Sequence, residues 1–137
     1  MDPIVAEITG PFSHDLMVQV LTELYPDLAH GKDYVVGHDF NSAEDPTDHG
    51  DPYIIYWKVA IPQPSNEEVK AKFLAEEVKY RTAFARRYRD ACLDGTDGKD
   101  NIPGVKGEKW KVYRQALRDL PTVPGFPLNF KWPDYPG

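Results

Sequence analysis

The sequence has little that would serve secretion, membrane insertion or disulfide bonding. Its single cysteine, Cys92, cannot form an intramolecular disulfide, which excludes the stapled frameworks of small secreted proteins. Nowhere do about 18 apolar residues run together, and the first residues show no basic segment followed by an apolar one. We therefore expect no export signal and no membrane span, and synthesis in a reducing cytosol.

Motifs of nucleophilic catalysis and of phosphate binding are also missing. There is no Gly-x-Ser-x-Gly turn, and the glycines at 95, 98 and 104 lack the flanking strand and the Lys-Ser/Thr pair that would hold phosphates. Cys92 falls inside a predicted helix with no histidine beside it in sequence, so a reactive thiolate is not expected. The sequence favours a protein that is not an enzyme and needs no cofactor.

Potential metal ligands are concentrated in one acidic segment. Residues 38–51 hold two histidines, His38 and His49, together with four aspartates. Their spacing matches neither the calcium loop of an EF-hand nor a helical His-x-x-x-His zinc pair. A solvated acidic loop is the favoured interpretation and no metal site is predicted, with a metal-dependent enzyme kept as a remote alternative.

Basic residues are scarce in the first half of the chain. Residues 1–65 contain eleven Asp/Glu against two Lys/Arg, whereas residues 66–137 contain eleven against fourteen. An acidic surface does not meet phosphates, and the arginines at 81, 86, 87 and 89 would point in several directions on a helix, so no nucleic-acid partner is predicted. The asymmetry could orient association between copies or with a charged partner; two ordinary solvated faces are the alternative.

The spacing of apolar residues up to about residue 93 predicts a helix, a β-hairpin and a second helix, in this order. A short helix capped by Ser13 or Asp15 should end before Pro26, and the β-branched and aromatic runs at 33–37 and 51–59 should pair as an antiparallel hairpin with a long acidic tip. The capping box that begins at Ser65 should open a helix from Asn66 to about Leu93.

The last third of the chain predicts a second helix followed by a tail. Residues 94–104 are rich in helix breakers, and helical periodicity resumes over Glu108–Leu120 in a narrow apolar stripe. This stripe would contact the preceding helix folded back as a helical hairpin, or alternatively another chain. Five prolines with interleaved aromatics occupy residues 121–137, which favours an extended tail.

Together these patterns predict an α+β fold. The order is an N-terminal helix, an antiparallel β-hairpin, a long helix, a shorter C-terminal helix and an extended Pro-rich tail. We expect one compact domain with an appendage: residues 1–65 as a helix and hairpin module, 66–120 as a helical hairpin, and 121–137 as a docking tail.

A first resemblance covers about residues 17–72. The Leu-Tyr-Pro end of the first helix, the Gly-Lys-Asp-Tyr-Val-Val strand, the Tyr-Ile-Ile-Tyr-Trp strand and the Pro-Gln-Pro-Ser-Asn-Glu-Glu helix opening resemble the XkdW-like family of small phage tail proteins. The resemblance implies a small α+β fold around a β-hairpin. The long acidic insertion from Phe40 to Gly50 departs from the family pattern.

A second resemblance covers about residues 108–133. The run Trp-x-x-Tyr-Arg-x-x-Leu-Arg-x-Leu-Pro from Trp110, then Pro-Gly-Phe-Pro from Pro124 and a closing Trp-Pro at Trp132, resembles the C-terminal motif of phage tail assembly chaperone and tail-fibre proteins. Neither family implies catalysis.

The second motif has the composition of a docking element. Aromatic residues and arginine are favoured at protein interfaces, and a proline-stiffened segment loses less entropy on docking than a flexible one. We expect the Arg114 and Arg118 guanidiniums, four residues apart, to be free for a partner's carboxylates. The alternative is that the aromatics cover the protein's own helix. The predicted partner-binding residues are Trp110, Tyr113, Arg114, Leu117, Arg118, Leu120, Pro124, Phe126 and Trp132.

The sequence thus predicts a non-enzymatic bacteriophage protein of tail or tail-fibre assembly. It would bind another tail or tail-fibre polypeptide, as a chaperone in the host cytoplasm during assembly. The alternative is a structural subunit that stays in the mature virion tail or fibre, and homo-oligomerisation is open in either case.

Overall fold

The computed structural model describes residues 3–45 and 48–137. Five α-helices and one two-stranded sheet lie within these ranges, which confirms the predicted α+β fold and its order. None of the described helices combines the length and the apolar character needed to cross a bilayer. The elements are α1 (Pro3–Thr9), α2 (His14–Leu24), β1 (Tyr34–Gly37), β2 (Tyr53–Trp57), α3 (Asn66–Ala75), α4 (Glu77–Gly95) and α5 (Val105–Asp119), with 3-10 turns at Lys99–Asn101 and Leu120–Thr122.

The chain divides into two compact units. One is Gly10–Tyr80; the other joins the described residues up to Thr9 to Arg81–Gly137. This grouping differs from the three segments expected from the sequence, because residues 66–80 group with the hairpin and residues 121–137 group with the helices before them. We call the two units the hairpin unit and the C-terminal unit.

The hairpin unit contains the elements that the sequence predicted best. The Ser13 hydroxyl caps α2 by accepting from the Leu16 N–H, and the Ser65 hydroxyl caps α3 by accepting from the Glu68 N–H. Strands β1 and β2 pair antiparallel, with Tyr34 opposite Trp57. The core is formed by the apolar side of α2 with residues of β1, β2 and α3: Leu16, Met17, Val20, Leu21, Tyr34, Val36, Ile54, Val69 and Phe73 are buried.

The long helix predicted from Asn66 to about Leu93 is interrupted at Glu76. The backbone of Glu76 leaves the helical region, with φ −132° and ψ 39°, so that α3 ends and α4 begins. Ion pairs hold this junction: the Glu76 carboxylate lies 2.7 Å from Lys72 and 3.5 Å from Lys79, and Lys79 also lies 2.6 Å from Glu23 on α2. The hydrogen bond from Lys72 is the main reason that the pKa of Glu76 is lowered. The prediction of one continuous helix was therefore wrong. No proline or glycine in the sequence marks this break.

The C-terminal unit includes a helix to which the sequence analysis assigned no element. Val5 and Ile8 of α1 are buried, and the Ile8 carbonyl accepts a hydrogen bond from the buried Arg81 guanidinium. Arg81 is therefore an internal cross-link between α1 and α4. Phe84 and Ala85 of α4 are buried as well.

Candidate partner-binding surface

Two glycines set the start of α5. Gly104 has φ +83°, a conformation that side chains rarely adopt, and it turns the chain into the helix. Gly107 lies so close to the preceding turn that a Cβ there would be 1.7 Å from the Ile102 carbonyl oxygen. The absence of a side chain at Gly107 therefore allows the first turn of α5 to pack against residues 99–102.

One side of α5 faces the interior of the C-terminal unit. Trp110, Tyr113, Leu117 and Leu120 recur at steps of three and four and are buried, with Trp110 4% and Leu117 0% exposed. The Trp110 ring meets the Tyr113 ring edge-on at 5.8 Å between centroids, and the Lys99 ammonium lies 5.0 Å from the Trp110 ring centre. We call these four residues the inward stripe.

Arg114 also points inward, where it fastens α5 to the end of α4. Its guanidinium donates to the Leu93 carbonyl at 2.6 Å and to the Thr96 hydroxyl at 2.8 Å. Leu93 belongs to the last turn of α4, whose carbonyls have no partner within the helix. We expected from the sequence that this guanidinium would be free for a partner, but it is engaged inside the chain. Arg118 is exposed.

The Pro-Gly-Phe-Pro segment forms a tight turn rather than an extended strand. Gly125 has φ +86°, and the N–H groups of Leu128 and Asn129 both donate to its carbonyl at 2.8 Å. A Cβ at Gly125 would be 2.1 Å from the Asn129 carbonyl oxygen, so the turn requires glycine. The Phe126 ring packs against Phe130 at 5.0 Å between centroids. After this turn, residues 130–137 have no regular secondary structure, as the tail prediction required.

The last residues lie on α5. Trp132 is buried, and the Tyr135 ring meets Trp110 at 5.2 Å and Tyr113 at 5.7 Å, edge-on in both cases. Burial is the main reason that the pKa of Tyr113 is raised to about 12, and the neighbouring Cys92 thiol adds to the shift. The tail is thus part of the fold of the C-terminal unit.

A second side of α5 carries apolar residues that are largely exposed. Val105 and Val112, seven residues apart, are 73% and 71% exposed, and Tyr135 of the tail is 63% exposed. Between α5 and the tail runs a groove of about 500 Å³. We call it the α5–tail groove; its lining residues are Val105, Glu108, Lys109, Val112, Tyr113, Ala116, Pro133, Asp134, Tyr135 and Pro136.

The nine predicted partner-binding residues fall into distinct environments. Five are buried in the core of the C-terminal unit and a sixth, Arg114, is hydrogen-bonded internally, while Arg118 and Pro124 are exposed and Phe126 is half-buried. Of the nine, only Tyr113 lines the α5–tail groove. The five core residues are Trp110, Tyr113, Leu117, Leu120 and Trp132.

Val105 and Val112 were not predicted as partner-binding residues, because the prediction was based on aromatic residues and arginine. Val105, Val112 and Ala116 lie on a side of the helix that otherwise carries charged and polar residues, and apolar residues at such positions are a signal that could have been read. The partner-binding role of the nine residues stays a prediction.

The acidic segment at residues 38–51 contains the potential metal ligands identified in the sequence. Across residues 3–45 and 48–137, no three His, Cys, Asp or Glu side chains are placed so that they could hold a metal ion.

Comparison with protein families gave two matches that together cover most of the chain. Residues 17–80 match the family described as XkdW protein, and residues 82–137 match the family described as phage tail assembly chaperone protein. Both resemblances stated from the motifs are confirmed, over longer stretches than the motifs themselves. No curated protein and no solved structure matches the chain. The matches support a role in phage tail assembly.

Proposed function

We propose that this chain, whose residues 17–80 match the XkdW protein family and whose residues 82–137 match the phage tail assembly chaperone protein family, assists phage tail assembly by holding another tail polypeptide. The binding is non-covalent and involves no catalysis. It takes place in the host cytoplasm while the tail is built.

The observation that supports this proposal is the uncovered α5–tail groove. Soluble monomers rarely expose contiguous apolar patches larger than roughly a few hundred Å², and grooves of exposed apolar residues with a polar rim are common sites of protein interaction. Here the exposed Val105 and Val112 face a wall made by Pro133, Tyr135 and Pro136. The groove lies wholly within the segment that matches the chaperone family.

The charges around the groove indicate the chemistry of the partner. Lys106, Lys109 and Lys111 are exposed on α5, and Lys111 lies 3.1 Å from Glu108. The charged residues that line the groove itself are Glu108, Lys109 and Asp134, so the groove fits a segment whose apolar side chains are flanked by polar groups of both charges.

The turn at residues 124–128 adds a second apolar contact. Pro124 and Leu128 are exposed and Phe126 is half-buried, so this turn offers apolar atoms to solvent, while Pro124 and the two hydrogen bonds to the Gly125 carbonyl restrict its backbone. A rigid turn loses little entropy when a partner binds. It would extend the binding surface beyond the groove.

A structural subunit of the finished tail is the second candidate. The burial of Trp110, Leu117 and Trp132 favours it, because these residues build a rigid unit rather than a detachable arm. Both candidates use the groove. They differ in whether the chain remains in the virion.

The test is to purify the tagged chain from infected cells and identify the proteins that accompany it, then to search purified virions for the chain by quantitative mass spectrometry. The assembly role predicts recovery of a tail or tail-fibre protein that binds the purified chain directly. If the chain is absent from virions, it is a transient chaperone. If it is present at a fixed copy number per particle, it is a structural subunit. Failure of every tail protein of the same phage to bind the purified chain would contradict the proposal.

A further inference from the structure

The four histidines of the chain, far apart in sequence, gather in one place in the hairpin unit. His14 begins α2, His38 directly follows β1, and His49 lies on the returning segment opposite Phe40. The His38 and His49 rings stack at 4.0 Å between centroids with 14° between their planes, and His14 meets His38 edge-on at 5.6 Å. His30 lies at the margin, 6.4 Å from His14.

These rings lie at the base of an extension of the hairpin. Beyond β1 and β2 the chain continues as a ladder in which the Gly50 N–H donates to the Asp39 carbonyl and the Asn41 N–H donates to the Asp48 carbonyl, both at 2.8 Å. The His38 and His49 stack therefore joins the outgoing and returning segments of the extension. The contact between His38 and His14 joins that base to the first turn of α2.

His38 is the centre of the cluster and is poorly placed to carry charge. Its Nδ1 atom is buried and has no hydrogen-bond partner in the described part of the chain. Burial lowers the pKa of His38, and the neighbouring His49 and His14 lower it further. Asp15 is the carboxylate that opposes this shift, and it lies 3.2 Å from the His14 ring nitrogen.

Other carboxylates near the cluster already have partners. Asp39 accepts a hydrogen bond from the Tyr53 hydroxyl at 3.1 Å, and the Asp48 side chain accepts one from the Asn41 amide at 3.2 Å. Protonation of both stacked rings would place two positive charges in contact, at 4.0 Å between ring centroids.

We propose that His14, His38 and His49 form a proton-sensitive clasp that fastens the acidic extension of the hairpin to the start of α2 while the rings are neutral and releases it when they are charged.

The direction follows from the sign of the shift. A histidine whose pKa is lowered by folding contributes its full stabilisation above the ordinary histidine pKa of about 6.5. That contribution is lost as the pH falls through the lowered value, because the open form takes up the proton first. The extension should be closed near about pH 7.5 and loosen towards about pH 5, before most carboxylates titrate.

The test is amide hydrogen exchange read by NMR on the full chain between about pH 7.5 and pH 5, corrected for intrinsic exchange. The protection factors of the Asn41 and Gly50 N–H groups should fall severalfold at the lower pH. The Lys58 N–H, which donates to the Asp33 carbonyl at the other end of the hairpin, is the internal control and should change far less.

The variant His38→Phe keeps a ring against His49 that cannot be charged, so the pH dependence of protection should disappear. His30→Gln, at the margin, should retain it. If the His38 ring titrates at or above the ordinary value, or if Asn41 and Gly50 keep the same protection at both pH values, the clasp is refuted; both readings use the wild-type chain and do not depend on a variant folding.

Discussion

The two sides of α5 use apolar residues in opposite ways. The inward stripe of Trp110, Tyr113, Leu117 and Leu120 is sealed by the rest of the C-terminal unit, whereas Val105 and Val112 lie open beside the tail. The sequence motif is richest in aromatics and arginine on the sealed side. The composition that marks a protein interface is therefore used here to hold the chain's own tail in place.

On α5, the buried apolar residues that stabilise the fold and the exposed apolar residues lie on different sides. A large apolar residue stabilises the contact in which it is buried. A sequence motif alone does not show whether that contact is within the chain or with a partner. In this chain the aromatic part of the motif is buried, and the smaller residues Val105 and Val112 beside it are exposed. Substitutions on the two sides should therefore have different effects.

The largest effect is expected from Trp110→Ala. Removing this buried ring, which contacts both Tyr113 and Tyr135, should lower the free energy of unfolding by about 3–5 kcal/mol, measured by urea denaturation. The exposed Val112→Ala should change it by no more than about 0.5 kcal/mol. A Trp110→Ala chain with wild-type stability that no longer binds its partner would reverse the assignment of the two sides.

Gly107→Ala should have the next largest effect. The added Cβ would collide with the Ile102 carbonyl, so the start of α5 must move, at a cost of about 1–3 kcal/mol in the free energy of unfolding. Gly95→Ala is the matched control, because a Cβ at Gly95 meets nothing within 4 Å, and the expected change is below about 1 kcal/mol. Thermal denaturation of the two variants side by side measures this difference. Equal melting temperatures would show that α5 is not packed against the turn at residues 99–102.

The two arginines of the motif provide a smaller and sharper contrast. Arg114→Met keeps the stem but removes the donors to Leu93 and Thr96, and should cost about 1–3 kcal/mol. Arg118→Met removes an exposed charge and should cost at most about 0.5 kcal/mol. Similar losses for both, measured by urea denaturation, would mean that Arg114 does not anchor α5 to α4.

Local signals in the sequence predicted the hairpin unit well. A serine cap, runs of β-branched and aromatic residues and a helix opening at Ser65 each depend on a few neighbouring residues, and all appear in the structure. At the break at Glu76, Lys79 contacts Glu23, which is 56 positions away in sequence. Such a contact leaves no local pattern to read.

The direction of side chains in the C-terminal unit was harder to predict. A stripe at helical spacing shows that Trp110 and Leu117 share a side, but not what covers that side. The cover is the tail, which returns because Gly125 permits a tight turn and Trp132 and Tyr135 then lie on α5. The groove on the neighbouring side exists only once the tail is placed.

The measurement that tests the central claim most directly is partner affinity beside stability for the double variant Val105→Asp/Val112→Asp. The probe is the tail protein that co-purifies with the wild-type chain, with Val78→Asp, an exposed valine of α4, as control. Affinity should fall at least about tenfold for the double variant alone, while its free energy of unfolding stays within about 1 kcal/mol of wild type. Unchanged affinity in a folded double variant would show that the α5–tail groove does not bind the partner.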